Sequence, residues 1–303
     1  MKTKDRPFES HLSVINSFLS YANIPEKEKS VLQKELENYM RERILNGKWC
    51  HPFITKFHTD WYREFYRLVG NKDPYEEIKN ESNEKAKQLL NQLKFDNIHD
   101  ILKLSIIGNK IDFGSCIHGI YDLNNLKQDI ISINNEKLFI DDTNKLIQEI
   151  KNAKNVFFLF DNNGELILDI PFLKFISQYL PKEKIFLVGK ESPMLNDVTI
   201  NDLFENNINK FGRILSIGSN CFGLHEEDVS SEFKRAFREA DLVIAKGQAY
   251  FEFFSEYNFN NVFNILRVKQ EIKGGNLPIL NPGMNLVVDS KRYTGQGMDY
   301  KWD

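Results

Sequence analysis

The feature that most constrains the fold is a run of five apolar residues, Val156 to Phe160, that leads directly into the carboxylate Asp161. A short apolar run that contains aromatic residues and ends at polar turn residues is typical of a strand buried on both faces. Such strands occur mostly in parallel sheets, whose carboxyl ends open into the crevice where ligands bind. The run therefore predicts a parallel sheet, with Asp161, Asn162 and Gly164 suited to hold a cation and a phosphate.

The same stretch has a second interpretation. Asn163-Gly164 lies between two apolar runs, and an Asn-Gly pair in that position is also a signal for a β-hairpin. The local pattern does not decide between a hairpin and a binding site, so both interpretations stay open at this point.

Composition limits the class of protein. The chain has 303 residues and a net charge of −3, so it can bury a large core and has no basic field for nucleic acid. Its three cysteines are far apart, without a CxxC pair, which favours reduced thiols in a cytoplasmic protein over a disulfide framework. No apolar run reaches the ~18 residues of a membrane span, and we expect no signal peptide. We therefore expect neither a nucleic-acid nor a membrane partner, and the oligomeric state is left open.

The order of the predicted elements divides the chain into a helical subdomain, 1–97, and an α/β domain, 98–303. Helices are predicted over 8–47, over 59–69 with Thr59 as a possible N-cap, and from 73 to 93. After residue 100, apolar runs alternate with helical segments, which implies a mostly parallel sheet with helices on both faces. The segment after residue 274 is not assigned. The predicted strands are 102–108, 156–160, 184–189, 213–218, 241–245 and 262–268.

Polar or glycine clusters follow five of these runs. Because the carboxyl ends of parallel strands lie at one edge of a sheet, we expect the clusters to converge. Carboxylate and amide oxygens suit Mg²⁺, Mn²⁺ or a similar ion, and a lysine with backbone N–H groups suits a phosphate. An ion held by Asp161 and Asp197 would polarise a phosphoryl oxygen and offset the charge that develops in transfer. The clusters are Gly108-Asn109 with Asp112, Asp161-Asn162, Asn196-Asp197, Gly218-Ser219-Asn220 and Lys246-Gly247.

Each cluster taken alone also has a structural explanation. Gly108 and Gly218 can be simple strand-terminating turns, and Asp197 can be the N-cap of the helix that follows. Lys246 can be a solvated loop lysine. The hypothesis of a functional site therefore depends on the convergence of the clusters and not on any one residue.

Five motifs occur in order along the chain. In order and spacing, over residues 50–272, they resemble the metal-dependent damage-control phosphatases, a family long catalogued as a domain of unknown function. The motifs are Gly108-Asn109-Lys110-Ile111-Asp112-Phe113-Gly114, Asp161-Asn162-Asn163-Gly164-Glu165, Asn196-Asp197-Val198-Thr199 with Asp202, Ser216-Ile217-Gly218-Ser219, and Ala240-Asp241-Leu242-Val243-Ile244-Ala245-Lys246-Gly247-Gln248.

The resemblance implies a three-layer α/β/α, Rossmann-like domain with a helical N-terminal subdomain, and hydrolysis of phosphomonoesters. It implies a divalent metal, Mn²⁺, Co²⁺, Ni²⁺ or Mg²⁺, held by Asp161, Asn162 and Asp197, with Lys246 as the phosphate-binding catalytic lysine. The substrate would be a small phosphorylated metabolite, such as a sugar phosphate or a phosphopantetheine-type compound. The residues expected to contact it are Asn109, Asp112, Gly218, Ser219, Gly247 and Glu252.

Two positions depart from the family pattern, because Tyr250 stands where an Asn is usual and Lys269-Gln270 where a Lys-Cys pair is common. They leave open a protein that binds metal and metabolite with little turnover. A haloacid-dehalogenase-type phosphotransferase needs a second Asp two residues after the first, where this chain has Asn163. A carboxyl methyltransferase needs a loop for S-adenosylmethionine, and the sequence has no glycine-rich dinucleotide-type loop.

Overall fold

The computed structural model describes residues 15, 19, 24–45, 54–70, 72–95, 97–112, 121–135, 137–272 and 276–293. The strands in this part of the chain are β1 Leu138–Asp141, β2 Val156–Leu159, β3 Ile185–Gly189, β4 Arg213–Ser216, β5 Leu242–Lys246, β6 Val262–Arg267 and β7 Asn285–Asp289. They form one sheet in the order β1-β7-β6-β5-β2-β3-β4.

In the described residues, five α-helices precede the first strand of the sheet and six lie between its strands. In the described residues the α-helices are α1 Glu26–Leu45, α2 Ile54–Val69, α3 Glu76–Leu90, α4 Ile98–Gly108, α5 Leu126–Ile131, α6 Thr143–Asn152, α7 Glu165–Leu168, α8 Ile170–Ile176, α9 Ile200–Glu205, α10 Ser231–Arg238 and α11 Gln248–Ser255.

The centre of the sheet is parallel. β2 pairs in parallel with β3 on one side and β5 on the other, and β4 and β6 continue this direction outwards. β7 is antiparallel to β6 and parallel to β1. The prediction of an α/β fold with a mostly parallel sheet is therefore confirmed. The chain runs from β2 to β3 and β4, then returns to the other side of β2 as β5. The gap between β2 and β5 is thus a topological switch point, where open α/β sheets bind ligands.

Side chains of the central strands alternate between two hydrophobic clusters, because successive residues of a strand point to opposite faces. Val156 and Phe158 face a cluster that also contains residues of α2, α4 and α8. Phe157 and Leu159 face a cluster built with α10 and α11. Helices therefore cover both faces of the sheet, and the N-terminal helix α2 shares the core of one face. The domain division at residue 97 stays a prediction.

The apolar run 102–108 is a helix and not the predicted strand. The backbone N–H of Asp100 donates to the Asn97 side chain at 3.0 Å, which caps α4 at its start. The last two turns of α4 are buried on nearly all sides, so the helix has no exposed polar face there. Without such a face the sequence lacks the helical period, and a buried helix cannot be distinguished from a buried strand by periodicity. The Asn97 cap is the local sequence signal that distinguishes the two.

The structure differs from or decides the sequence predictions at three further places. α2 begins at Ile54, so Thr59 is not an N-cap; its hydroxyl donates to the Thr55 carbonyl and accepts from the Phe222 backbone N–H. The hairpin interpretation of Asn163-Gly164 is excluded, because α7 starts directly after Gly164. The unassigned C-terminal segment supplies β7.

Some predictions fall outside the described residues, namely the start of the first helix, Cys50, Cys116 and everything after residue 293. Cys221 is described, and it is a buried free thiol. Within the described ranges, none of the helices combines the length and the apolar character that crossing a membrane requires.

Candidate metal centre at the switch point of the sheet

The three predicted metal ligands lie together at the carboxyl ends of β2 and β3. Asp161 and Asn162 follow β2, and Asp197 lies in the loop after β3. Asn162 and Asp197 form an isolated β-bridge, and the Val198 N–H donates to the Asp161 carbonyl at 2.8 Å. The backbone therefore fastens the two loops to each other. All three residues are buried, with at most 8% of each residue's surface exposed.

Two amides bridge two carboxylates in this centre. Asn109 Nδ2 donates to Asp161 Oδ2 at 2.7 Å, and Asn162 Nδ2 donates to the same oxygen at 2.8 Å. The same two nitrogens donate to Glu165 Oε2 at 3.1 and 3.2 Å. Each NH₂ group thus donates both of its hydrogens to carboxylate oxygens. The oxygen of Asn109 accepts from the Arg267 N–H at 3.1 Å.

One oxygen on each predicted ligand remains without a hydrogen-bond partner among the described residues. These atoms are Asp161 Oδ1, Asn162 Oδ1 and Asp197 Oδ1, since Asp197 Oδ2 lies 3.3 Å from Lys190 Nζ. Two carboxylate oxygens and one amide oxygen are hard donors that suit Mg²⁺ or Mn²⁺. No group of three His, Cys, Asp or Glu side chains in the described chain is arranged for a metal. The set found here includes an amide, and its chemistry fits a divalent ion.

The electrostatics of the centre also favour a cation. Burial raises the pKa of Asp161 well above its ordinary value, and the nearby charges of Glu165 and Asp197 raise it further, against the opposing charge of Lys269. Burial raises the pKa of Asp197 to about 6, although Lys190 acts in the opposite direction. These shifts have one physical cause, which is negative charge taken out of water without enough positive charge beside it. A divalent cation would supply that charge.

Lys246, the predicted phosphate-binding lysine, is fully engaged by protein groups. It is the last residue of β5, and its side chain is fully buried. Its Nζ donates to Glu165 Oε1 at 2.5 Å, to Asp169 Oδ1 at 2.9 Å and to Ser105 Oγ at 2.7 Å. An ammonium group has three hydrogens, and all three are engaged here. Lys246 therefore lies behind the predicted metal ligands, and its role in binding phosphate stays a prediction.

Two lysines that the sequence prediction did not include lie beside the carboxylates instead. Lys269 Nζ is 2.5 Å from Asp112 Oδ2, and its charge acts on Asp161. Lys190 Nζ lies beside Asp197 and also donates to the Cys221 carbonyl. Lys190 directly follows the last residue of β3, just as Lys246 follows the predicted strand 241–245. The same reasoning from the sequence could therefore have identified Lys190.

Gly247 abuts the Asp161 carboxylate. A Cβ atom at this position would lie 1.9 Å from Asp161 Oδ2, and the backbone φ is +83°, in the region that favours glycine. Only glycine therefore lets the turn between β5 and α11 pass this close to the carboxylate. Asp112 lies at the same edge through its contact with Lys269.

The other predicted substrate residues lie further from the carboxylates or contact them through intermediaries. Gly218 and Ser219 follow β4, two strands away from β2, and the Ser219 carbonyl accepts from the Glu191 N–H at 2.9 Å. Glu252 accepts from Gln248 Nε2 at 2.8 Å, and Gln248 Oε1 in turn accepts from the Lys269 N–H at 2.9 Å. Their roles in binding substrate stay predictions.

Fold and geometry together define an α/β protein with a buried acid–amide centre at the switch point of its sheet, whose free oxygens suit a divalent cation. The family model for the damage-control phosphatase ARMT1-like domain matches residues 9–278. The chain therefore belongs to the damage-control phosphatase ARMT1-like family, and the resemblance seen in the sequence is confirmed.

Relatives agree with this assignment. The damage-control phosphatase PH1575 of Pyrococcus horikoshii is 35% identical over 212 residues, which are 69% of this chain and 72% of that protein. A damage-control phosphatase of Archaeoglobus fulgidus is 30% identical over 230 residues, 73% of this chain and 77% of that protein. The crystal structure of a DUF89 family protein, PH1575 of Pyrococcus horikoshii, matches with a TM-score of 0.76 at 28% identity, over 96% of this chain and 100% of that chain.

Proposed function

We propose that this protein is a metal-dependent phosphatase that hydrolyses small phosphorylated metabolites, such as sugar phosphates. Membership of the damage-control phosphatase family supports a phosphatase of damaged or unusual metabolites. The observation that carries the finer proposal is the set of oxygens on Asp161, Asn162 and Asp197 that have no partner among the described residues. They lie where open α/β sheets bind ligands.

Asp161, Asn162 and Asp197 would hold the metal, with Mn²⁺, Co²⁺, Ni²⁺ and Mg²⁺ as the candidates. When bound, such an ion supplies Lewis-acid stabilisation of the phosphoryl oxygens. Asn109 contributes by holding Asp161 Oδ2, so that Oδ1 is the oxygen left for the ion. Gly247 contributes by packing its backbone against the same carboxylate, which limits where Asp161 can move.

We assign the phosphate-binding charge to Lys269 in place of Lys246. Burial alone would lower the pKa of Lys269, but the neighbouring carboxylates of Asp112 and Asp161 raise it above its ordinary value. The ammonium group therefore stays charged at physiological pH. Its side chain is 16% exposed, whereas that of Lys246 is 0% exposed, so Lys269 is the one that a ligand can reach. A charged lysine beside the metal ligands suits the oxygens of a phosphate.

The surroundings of Asp161 argue against a haloacid-dehalogenase-type transfer. In that class a second acid two residues after the first handles the proton. Asn163 stands there, fully buried, and its Nδ2 donates to Asp202 Oδ2 at 3.1 Å. It accepts from Asn83 Nδ2 at 2.8 Å. Asn163 therefore connects buried segments by hydrogen bonds and has no acidic proton to transfer.

The test is phosphate release by purified protein that has been stripped of metal and then loaded with one ion at a time. We expect release from p-nitrophenyl phosphate or from sugar phosphates that depends on Mn²⁺, Co²⁺, Ni²⁺ or Mg²⁺. Asp161→Ala should abolish it, and Asp60→Ala is the control, because Asp60 is a half-exposed carboxylate on α2. Full activity of Asp161→Ala would end the proposal. Metal binding without turnover over the panel would favour a non-catalytic binding protein.

A further inference from the structure

A completely buried ion pair lies directly behind the predicted metal ligands. Lys246 Nζ is 2.5 Å from Glu165 Oε1, and both side chains are 0% exposed. Breaking such a pair by removing one partner is strongly destabilising, and burying it is costly unless all of its remaining donors and acceptors are satisfied. Here the second oxygen of Glu165 accepts from the amides of Asn109 and Asn162. The pair is thus connected to the metal ligands by hydrogen bonds.

The contacts of Glu165 decide how Asn162 is oriented. The nitrogen and oxygen of an amide have nearly the same shape, so only the hydrogen-bond network fixes which atom faces which way. Rotating the Asn162 amide by half a turn would place its oxygen where Nδ2 now lies, 2.8 Å from Asp161 Oδ2 and 3.2 Å from Glu165 Oε2. Three oxygens would then face one another without a hydrogen between them. Glu165 and Asp161 together therefore exclude the rotated amide.

We propose that Glu165 and Lys246 are positioning residues, which hold the Asn162 amide with its nitrogen towards the carboxylates and its oxygen available to the cation. Lys246 does this by holding Glu165 Oε1, so that Oε2 remains directed at the amides. The inference rests on the proposed metal site and adds to it the reason why a lysine is needed there. It also gives Lys246 a role that does not require contact with substrate.

The chain offers a matched control for this role. Asp169 is as buried as Glu165 and also accepts from Lys246, at 2.9 Å. Its other contact is the Ser105 hydroxyl, and its second oxygen has no hydrogen-bond partner in the described part of the chain. Asp169 thus shares the burial and the ion pair of Glu165, but it does not contact the amides. Glu165→Gln and Asp169→Asn each remove one buried charge next to Lys246, and only the first disturbs Asn162.

The experiment is a calorimetric titration of metal-free wild type, Glu165→Gln and Asp169→Asn with Mn²⁺, together with a melting curve of each protein. Loss of a group that orients a metal ligand typically weakens metal binding by about 10–100-fold. We expect that loss in Glu165→Gln and less than about a threefold change in Asp169→Asn, with similar losses of melting temperature. Because the Glu165 side chain is fully buried and is proposed to act through Asn162, saturating Mn²⁺ should restore most of the kcat of Glu165→Gln.

Equal Mn²⁺ affinities in the two variants would refute the positioning role while leaving the phosphatase proposal intact. If Glu165→Gln does not fold, Glu165→Asp serves instead, because it keeps the charge beside Lys246 and withdraws the carboxylate from the amides; it should also weaken Mn²⁺ binding. A wild type that binds none of Mn²⁺, Co²⁺, Ni²⁺ and Mg²⁺ would overturn both proposals. The predicted order of Mn²⁺ affinities without any phosphate release would support the positioning role and contradict the phosphatase reaction.

Discussion

Two groups of buried charges lie side by side in this molecule, and they differ in whether one ammonium group bridges their carboxylates. Around Lys246, all three ammonium hydrogens have acceptors, and the group is sealed from solvent. Around Asp161 and Asp197, each carboxylate keeps one oxygen without a partner in the described chain, and burial raises the pKa of both. Glu165 belongs to both groups. Asp169 also keeps one oxygen without a partner in the described chain, but its other oxygen binds Lys246, whereas no described lysine forms an ion pair with Asp161. The comparison teaches that carboxylates bridged by a buried ammonium group, the satisfied group, support the fold, whereas the unsatisfied group around Asp161 lacks that bridge and is a place for a cation.

The largest effect on stability is expected from Lys246→Met. It leaves the buried carboxylates of Glu165 and Asp169 without their counter-charge, and breaking a buried pair in this way costs about 3–5 kcal/mol. Urea unfolding of the metal-free protein measures the loss. The control is Lys87→Met, which removes an exposed pair with Glu84 on α3 and should change stability by less than about 1 kcal/mol. Similar values for the two variants would show that the buried pair contributes no more to stability than the exposed one.

A different outcome is expected for Lys269→Met, at the unsatisfied group. Lys269 contacts Asp112 and lies near Asp161, so its loss removes a charge that we assign to phosphate binding. A lost charge-assisted hydrogen bond of ~1.5–3 kcal/mol corresponds to about a 10–100-fold drop in kcat/KM. The drop should be accompanied by a smaller loss of stability than in Lys246→Met. Unchanged kcat/KM with Mn²⁺ present would show that another group binds the phosphate.

The smallest effect is expected from a peripheral ion pair that touches neither group. Burial would raise the pKa of Asp228, but hydrogen bonds from Lys56 and Arg63 hold it below its ordinary value. A lowered folded-state pKa stabilises the protein above the unfolded-state pKa, and that stability is lost as the pH falls through the folded-state value. Wild type should therefore exceed Asp228→Asn in unfolding free energy at pH 7, and the two should converge in strong acid. A difference in unfolding free energy between the two proteins that stays constant down to pH 2 would contradict the lowered pKa of Asp228.

Much of the fold follows from local sequence patterns. The strands β2, β3 and β5 are apolar runs with polar ends, and a parallel sheet places those ends at one edge. Asp161, Asn162 and Asp197 could be brought together by this reasoning alone. The helix α4 could not be recognised by periodicity, because its last two turns are apolar nearly all round. β1 and β7 are as long as β2 and β3 but were missed, because each contains only three consecutive apolar residues between polar ones.

The position of Lys246 could have been deduced from the alternation of side chains along β5. Leu242 and Ile244 face the cluster that contains α4, and Val243 and Ala245 face the other. Lys246 therefore points to the same face as Ile244, beneath α4, where Ser105 and Glu165 lie. The sequence prediction ended this strand at residue 245, so the direction of the Lys246 side chain was not deduced. The acids at 165 and 169, among apolar residues, were a further sign that a buried cation was needed.

The most direct test of the account is a crystal of the protein soaked in Mn²⁺ and measured at a wavelength where manganese scatters anomalously. We predict one anomalous peak at the switch point of the sheet, bonded to one oxygen each of Asp161, Asn162 and Asp197, with the Lys246 ammonium still bound to Glu165. A peak elsewhere, or an Asn162 amide that presents its nitrogen to the ion, would contradict the account.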